Sequence, residues 1–256
     1  MATGRTHLKY TRVYVNGYDM SGYMHTIGPL GWTADTSNQA ALTDSVQSAI
    51  PGANSVTVGD INSFMDNTAT SGLHVLFNNP GAALRNIMIP IGIRAAPAAG
   101  DPCFLAQVEQ KSYIMDPSGV TVNVGMSFES SARHTQNTYA KPWGVLLRAL
   151  AARTSASGAN TGTGDHNAGG ETTAGGYLMY QVTAGNGTAT ISIDDSTDNI
   201  NFSALSGATS GEIDFSTPTS GVVALATDAH VQQYLRWQIA FNSATSVTFA
   251  LAFVRG

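Results

Sequence analysis

Residues 119–129, GVTVNVGMSFE, alternate apolar side chains with polar or small ones along their whole length. Val120, Val122, Val124, Met126 and Phe128 fall on one face, and Thr121, Asn123, Ser127 and Glu129 on the other. A period of two means a half-buried strand, because successive side chains leave opposite faces of a pleated chain. The preceding CFLAQVEQKSY repeats the pattern, opposing Phe104, Ala106 and Val108 to Gln107, Glu109 and Lys111. NIMIPIGIR aligns Ile87, Ile89, Ile91 and Ile93, and Pro90 restricts that strand to an edge, an end or a bulge. In DNTATSGLHVLFNNPG, Leu73, Leu76 and Phe77 have helical spacing ahead of an Asn-Asn-Pro-Gly stop, so a short helix is expected to pack on the sheet.

The rest of the chain continues in strands. YLMYQVTA and TATISID flank a Gly-Asn-Gly turn, which predicts a hairpin around Asn186-Gly187. In QYLRWQIAF, Leu235, Trp237, Ile239 and Phe241 share one face while Tyr234, Arg236 and Gln238 share the other. Val247, Phe249, Leu251 and Phe253 alternate with smaller residues in SVTFALAFV. About seven short strands with turn signals between them predict a small antiparallel β-sandwich, Ig-like in plan. Charge also divides the chain. Through residue 160 there are ten Lys and Arg against nine Asp and Glu; from 161 on there are two against eight, and +1 with −6 gives the whole-chain −5. A stretch rich in Gly, Ser, Thr, Ala and Asn lies between the halves and buries too little to offset its ordering entropy. The expected organisation is a β-sheet domain over 1–152, a flexible linker over 153–172 and the sandwich over 173–256.

Residues 10–23, YTRVYVNGYDMSGY, hold Tyr10, Tyr14, Tyr18 and Tyr23 around an Asn16-Gly17 turn. Val13 and Val15 alternate with Tyr14, so the segment reads as a hairpin. A lone hairpin is marginal in water, so its apolar side must dock on the rest of the chain or on another copy.

Chemistry is sparse. There is no G-x-S-x-G, no P-loop, no H-E-x-x-H and no zinc-ligand spacing, and the histidines are scattered. The reading is therefore of a protein that is not an enzyme and needs no cofactor. DDSTDN at 194–199 resembles a Ca²⁺ loop only superficially, lacking its turn glycine and its terminal Glu, and reads as a polar hairpin loop. Cys103 is the only cysteine, which rules out an intrachain disulfide and suggests a buried thiol. GVLLRALAA is too short and too interrupted to span a bilayer, and the first residues have no apolar signal core. Charged residues make up 11% of the chain against a usual share of about a quarter. A low-charge β protein of this kind suits a surface consumed by neighbours.

VYVNGYDMSGY, IGPLGW, DNTATSGLHVLFNNPGA, IPIGIRAAPAAGDPCFLAQVEQKSY and YAKPWGVLL, in this order, resemble the major tail tube protein of long, non-contractile-tailed bacteriophages. The resemblance covers most of residues 10–150; the C-terminal part is similar to small β-sandwiches appended to phage structural proteins. It implies a virion subunit, assembled in the host cytoplasm, whose homo-hexameric rings stack into a hollow tube. Neighbouring sheets would join into a continuous inner barrel through which double-stranded DNA passes without specific binding. Tape-measure and tail-terminator proteins are the implied partners. On this reading Tyr10, Tyr14, Tyr18 and Tyr23 form a subunit-interface arm. Gln107, Glu109 and Lys111 are the candidate lumen face, and the acidic sandwich projects outward, where it would touch host glycans weakly. Two other classes stay open: a capsid decoration or minor tail protein, and a glycan-binding module using Trp237 and Tyr234.

Overall fold

The computed structural model describes residues 6–38, 49–68, 72–81, 84–93, 95–130, 141–155, 165–166 and 170–256. The fold is mainly β. In chain order the strands are β1 (Tyr14–Val15), β2 (Tyr18–Asp19), β3 (Met24–Ile27), β4 (Leu30–Asn38), β5 (Ala49–Phe64), β6 (Leu84–Pro90), β7 (Pro102–Asp116) and β8 (Asn123–Ser130). They continue with β9 (Trp143–Thr154), β10 (Asp165–His166), β11 (Gly176–Gly185), β12 (Thr188–Ser196), β13 (Ser203–Asp214), β14 (Thr219–Ala224), β15 (Tyr234–Phe241) and β16 (Ser246–Arg255). A single α-helix among the described residues, α1 (Leu73–Phe77), interrupts them.

Three bodies of packing emerge. The first is a curled antiparallel sheet in the order β14-β11-β16-β9-β7-β6-β1-β2, whose two ends come back together. Side chains close the seam. Gln181 Oε1 accepts from Gly17 N at 2.7 Å and its Nε2 donates to Asn86 O at 2.9 Å, while Asn86 Nδ2 donates to Ser220 Oγ at 2.9 Å. Gly17 permits the close approach: its φ is +84°, and a Cβ there would stand 2.4 Å from Thr219 N. Tyr14, Met88, Cys103, Leu105, Leu146, Tyr177, Met179, Ala250, Ala252 and Val254 fill the inside of the curl.

The second body is a wing. β7 pairs with β6 through Cys103–Glu109 and with β8 through Val108–Asp116, so it belongs to the curl at one end and to the wing at the other. β8 then pairs with β5, and β3 and β4 follow one another along the far side of β5. At their junction Gly28 N donates to Asp60 O and Gly59 N to Pro29 O, each at 2.8 Å. One wing face carries Val56, Val58, Ile61, Val124, Met126 and Phe128, packed with Ile87 and Ile89 of β6 and with Leu73 and Phe77 of α1. Buried Gln110 donates to Phe77 O at 2.7 Å and Arg85 to Leu76 O at 3.0 Å, satisfying carbonyls that a helix end leaves free.

The third body is a second sheet, β10-β15-β12-β13, which covers the outside of β9, β11 and β16. Ile191, Ile193, Leu235, Trp237 and Ile239 meet Leu178, Val182, Phe249, Leu251 and Phe253 there. This sandwich is not confined to residues 173–256, since Leu147 of β9 contributes to its core and β9 pairs along β16.

Several sequence expectations match in position. The Asn16-Gly17 turn has φ of 50° and 84°, as a tight hairpin turn requires. The helix forms where Leu73, Leu76 and Phe77 placed it. Cys103 is fully buried, and burial pushes its thiol pKa well up. β6 ends at Pro90, leaving Ile93 exposed. One strand is shorter than its alternation predicted: β8 starts at Asn123, and Val120 is exposed in the connection from β7. The reason is local. Asp116 Oδ1 accepts from Ser118 N at 2.9 Å, an Asx turn around Pro117 that ends β7 and leaves Val120 in solvent, while Val122 stays half-buried.

Candidate functional site

The side of the wing opposite its core is polar where β4, β5 and the end of β8 meet, while exposed Phe64 of β5 and Ile114 of β7 share that face farther along. Antiparallel partners point the same way, so the faces follow from the register: Ser55 and Thr57 on β5 stand beside Thr33 on β4 and Glu129 on β8. Thr33 Oγ1 lies 2.9 Å from Ser55 Oγ, and Ser112 Oγ 2.7 Å from Ser127 Oγ. The one cation of this cluster, Lys111, is held by Glu129 with Nζ 2.6 Å from Oε2. A shallow depression of about 310 Å³ lined by Ser55, Thr57, Lys111 and Glu129 marks its centre. Hydroxyl groups and a neutralised ion pair make a wetted surface with no net attraction for phosphate.

Among the described residues this face ends at an unpaired edge. Among the described residues β3 and β4 pair only with β5, so from Met24 to Asn38 the outer side of the wing presents backbone N–H and C=O groups with no strand beside them. β7 is likewise without β6 beyond Glu109. Soluble monomers blunt long edges, because an open edge templates pairing with another chain.

The expected lumen residues lie along one side of β7. Lys111 is on the polar wing face, Glu109 stands opposite Glu129 in register, and Gln107 Nε2 donates to Asn86 Oδ1 at 3.0 Å nearer the seam of the curl. The expected arm divides. Tyr14 is only 4% exposed and faces the inside of the curl, where burial raises the pKa of its hydroxyl. As an interface anchor Tyr14 is therefore corrected: its ring is consumed by the chain's own core, since β1 pairs with β6 and Val13 and Val15 occupy the opposite core. Tyr10, Tyr18 and Tyr23 stay half-buried, with Lys9 Nζ 4.8 Å from the Tyr10 ring and Tyr18 and Tyr23 packed on the wing core.

Other readings meet their geometry here too. Trp237 is 5% exposed and makes an edge contact with Phe249 at 5.6 Å between ring centres, so it supplies no stacking platform for a sugar. Asp194 takes both Nε and Nη2 of Arg236, at 3.0 and 2.9 Å, and Asp198 Oδ1 accepts from Ile200 N and Asn201 N of its own loop. Among the described residues no three His, Cys, Asp or Glu side chains are grouped to hold a metal. No helix among them is long and apolar enough to cross a membrane.

Sequence reading did not find β3, β4 and β5. GANSVTVGDINSF is broken by Gly and Asn, yet Val56 and Val58 alternating with Ser55 and Thr57 are a usable signal.

No known family model matches the chain, and no curated protein matches it. Among solved structures, the chain is similar to the Dit protein of phage SPP1, described as a paradigm of the hub adsorption apparatus in phages infecting Gram-positive bacteria. The identity is 9%, the coverage 95% of this chain and 99% of that one, and the TM-score 0.33. A structure of infectious bursal disease virus, Gx strain, aligns at 11% identity over 97% of this chain and 58% of that chain, with a TM-score of 0.24.

Proposed function

We propose that this chain is a structural subunit of a bacteriophage tail, the major tail tube protein. The edge of β3 and β4, unpaired among the described residues, carries the proposal, because it borders a sheet face rich in hydroxyls whose lysine is held by a carboxylate. In a ring, the edge of one wing pairs with the far end of β7 in the next, and six copies close a continuous inner barrel in which these wing edges are paired. The face with Ser55, Thr57, Ser127 and the Lys111–Glu129 pair lines the lumen. A wall of free cations would grip DNA by releasing its counterions; a neutral hydroxyl wall lets it slide. The resemblance over residues 10–150 supports the same reading. The sandwich, which holds most of the acidic excess, stands outward and keeps tubes apart by repulsion.

Electron microscopy of the purified protein after long incubation tests this. Rings or hollow tubes are expected. A chain that stays monomeric at every concentration, with and without tail initiator proteins, overturns it.

A further inference from the structure

Two arginines on β9 lie over one tryptophan at the flank of the sandwich. The guanidinium carbon of Arg148 is 4.5 Å from the ring centres of both Trp237 and Phe249, and that of Arg153 is 5.9 Å from the Trp237 ring. Arg148 Nη2 donates to Ala151 O and Ala152 O at 3.1 and 3.2 Å, which fixes the fork in place. Nε of Arg148 and Nε of Arg153 are both buried without a hydrogen-bond partner. The ion pairs among the described residues involve Lys111, His230 and Arg236, and neither of these arginines. Burial, and then the positive charge of Arg153, hold the Arg148 pKa down to about 10. Two cations thus sit against one aromatic ring, Arg148 with Nη2 already bonded and both with Nε unpartnered.

We propose that Arg148 and Arg153 form a carboxylate-binding clamp that takes an acidic side chain from a second copy of this chain. Guanidinium forks match a carboxylate two bonds at a time, and a stacked guanidinium is already oriented for it. Among the described residues the pair lacks a carboxylate partner. Another copy offers it, since residues 161–256 carry eight Asp and Glu against two Lys and Arg. The clamp rests on the self-assembly proposed above and adds a charged contact, distinct from the wing edges, by which copies meet.

The test compares wild type with Arg153→Gln and Arg153→Glu by sedimentation velocity, at low and high salt, with melting temperature measured alongside. The Arg153 side chain donates no hydrogen bond among the described residues, so both variants are expected to fold, and Arg153→Glu relieves the repulsion with Arg148. The concentration for half-assembly should rise about tenfold or more in Arg153→Glu, with the melting temperature unchanged or higher, and high salt should bring wild type toward the variant. If wild type assembles and Arg153→Glu assembles equally well, the clamp is wrong and the tube reading stands. If wild type does not assemble, both fail. A fall in melting temperature that accounts for lost assembly makes Arg153 a packing residue and overturns the clamp. So does a short DNA duplex, added as a probe, that binds wild type but not Arg153→Glu while their assembly is the same.

Discussion

β16 and β8 are both alternating antiparallel strands, yet they are buried differently. In β16, Val247, Phe249, Leu251 and Phe253 enter the sandwich core while Ala250, Ala252 and Val254 enter the curl, so both faces are dry. In β8, Val124, Met126 and Phe128 face a core and Gly125, Ser127 and Glu129 face out. The difference lies in the intervening residues: small and apolar where a second layer covers them, polar where none does. A chain that spends its hydrophobic side chains on two layers around β9, β11 and β16 leaves the wing one-sided, with a face and an edge for partners.

Cutting the chain after residue 156 should break this comparison most severely. The sequence suggests autonomous halves, whereas β9 pairs along β16 and the inside of the curl mixes Tyr14, Leu105 and Leu146 with Tyr177, Met179 and Val254. The truncated chain is expected to show no cooperative melting transition and to aggregate, read by calorimetry and light scattering. If it melts cooperatively, the curl does not bind the halves together.

Point changes sharpen the contrast. Phe253→Ala, in a strand buried on both faces, should cost about 3–5 kcal/mol in chemical denaturation. Gln181→Leu should cost about 1–3 kcal/mol, because it strands the buried Gly17 N–H at the seam. At the small end, Lys111→Ala on the half-exposed wing face should change stability by less than about 1 kcal/mol. A large loss there would mean that the face is structural rather than presented.

The halves of the fold were unequally legible. Turns written as Asn-Gly and the α1 spacing rest on local chemistry and appear at their expected places, whereas six strands rather than about seven lie within 173–256, because β13 runs unbroken from Ser203 to Asp214. Closure of the curl had no local signature: Gln181 and Gly17 are far apart in sequence, and nothing near Tyr14 announces that a second layer will cover it. The small residues of SVTFALAFV did carry a signal, because a solvent face would have held charge and this one holds none. At the candidate site, Lys111 was read on a polar face, but its partner Glu129 comes from the next strand, and the rest of the face from β4 and β5, whose alternation Gly and Asn obscure.

On the proposed function, copies join at the edge of β3 and β4. Amide hydrogen exchange of the protein before and after assembly reads it directly. Outward-facing amides of residues 24–33 should exchange fast in the free chain and become protected in rings or tubes, together with those at the far end of β7. Assembled material in which these amides still exchange as in the free chain would contradict it.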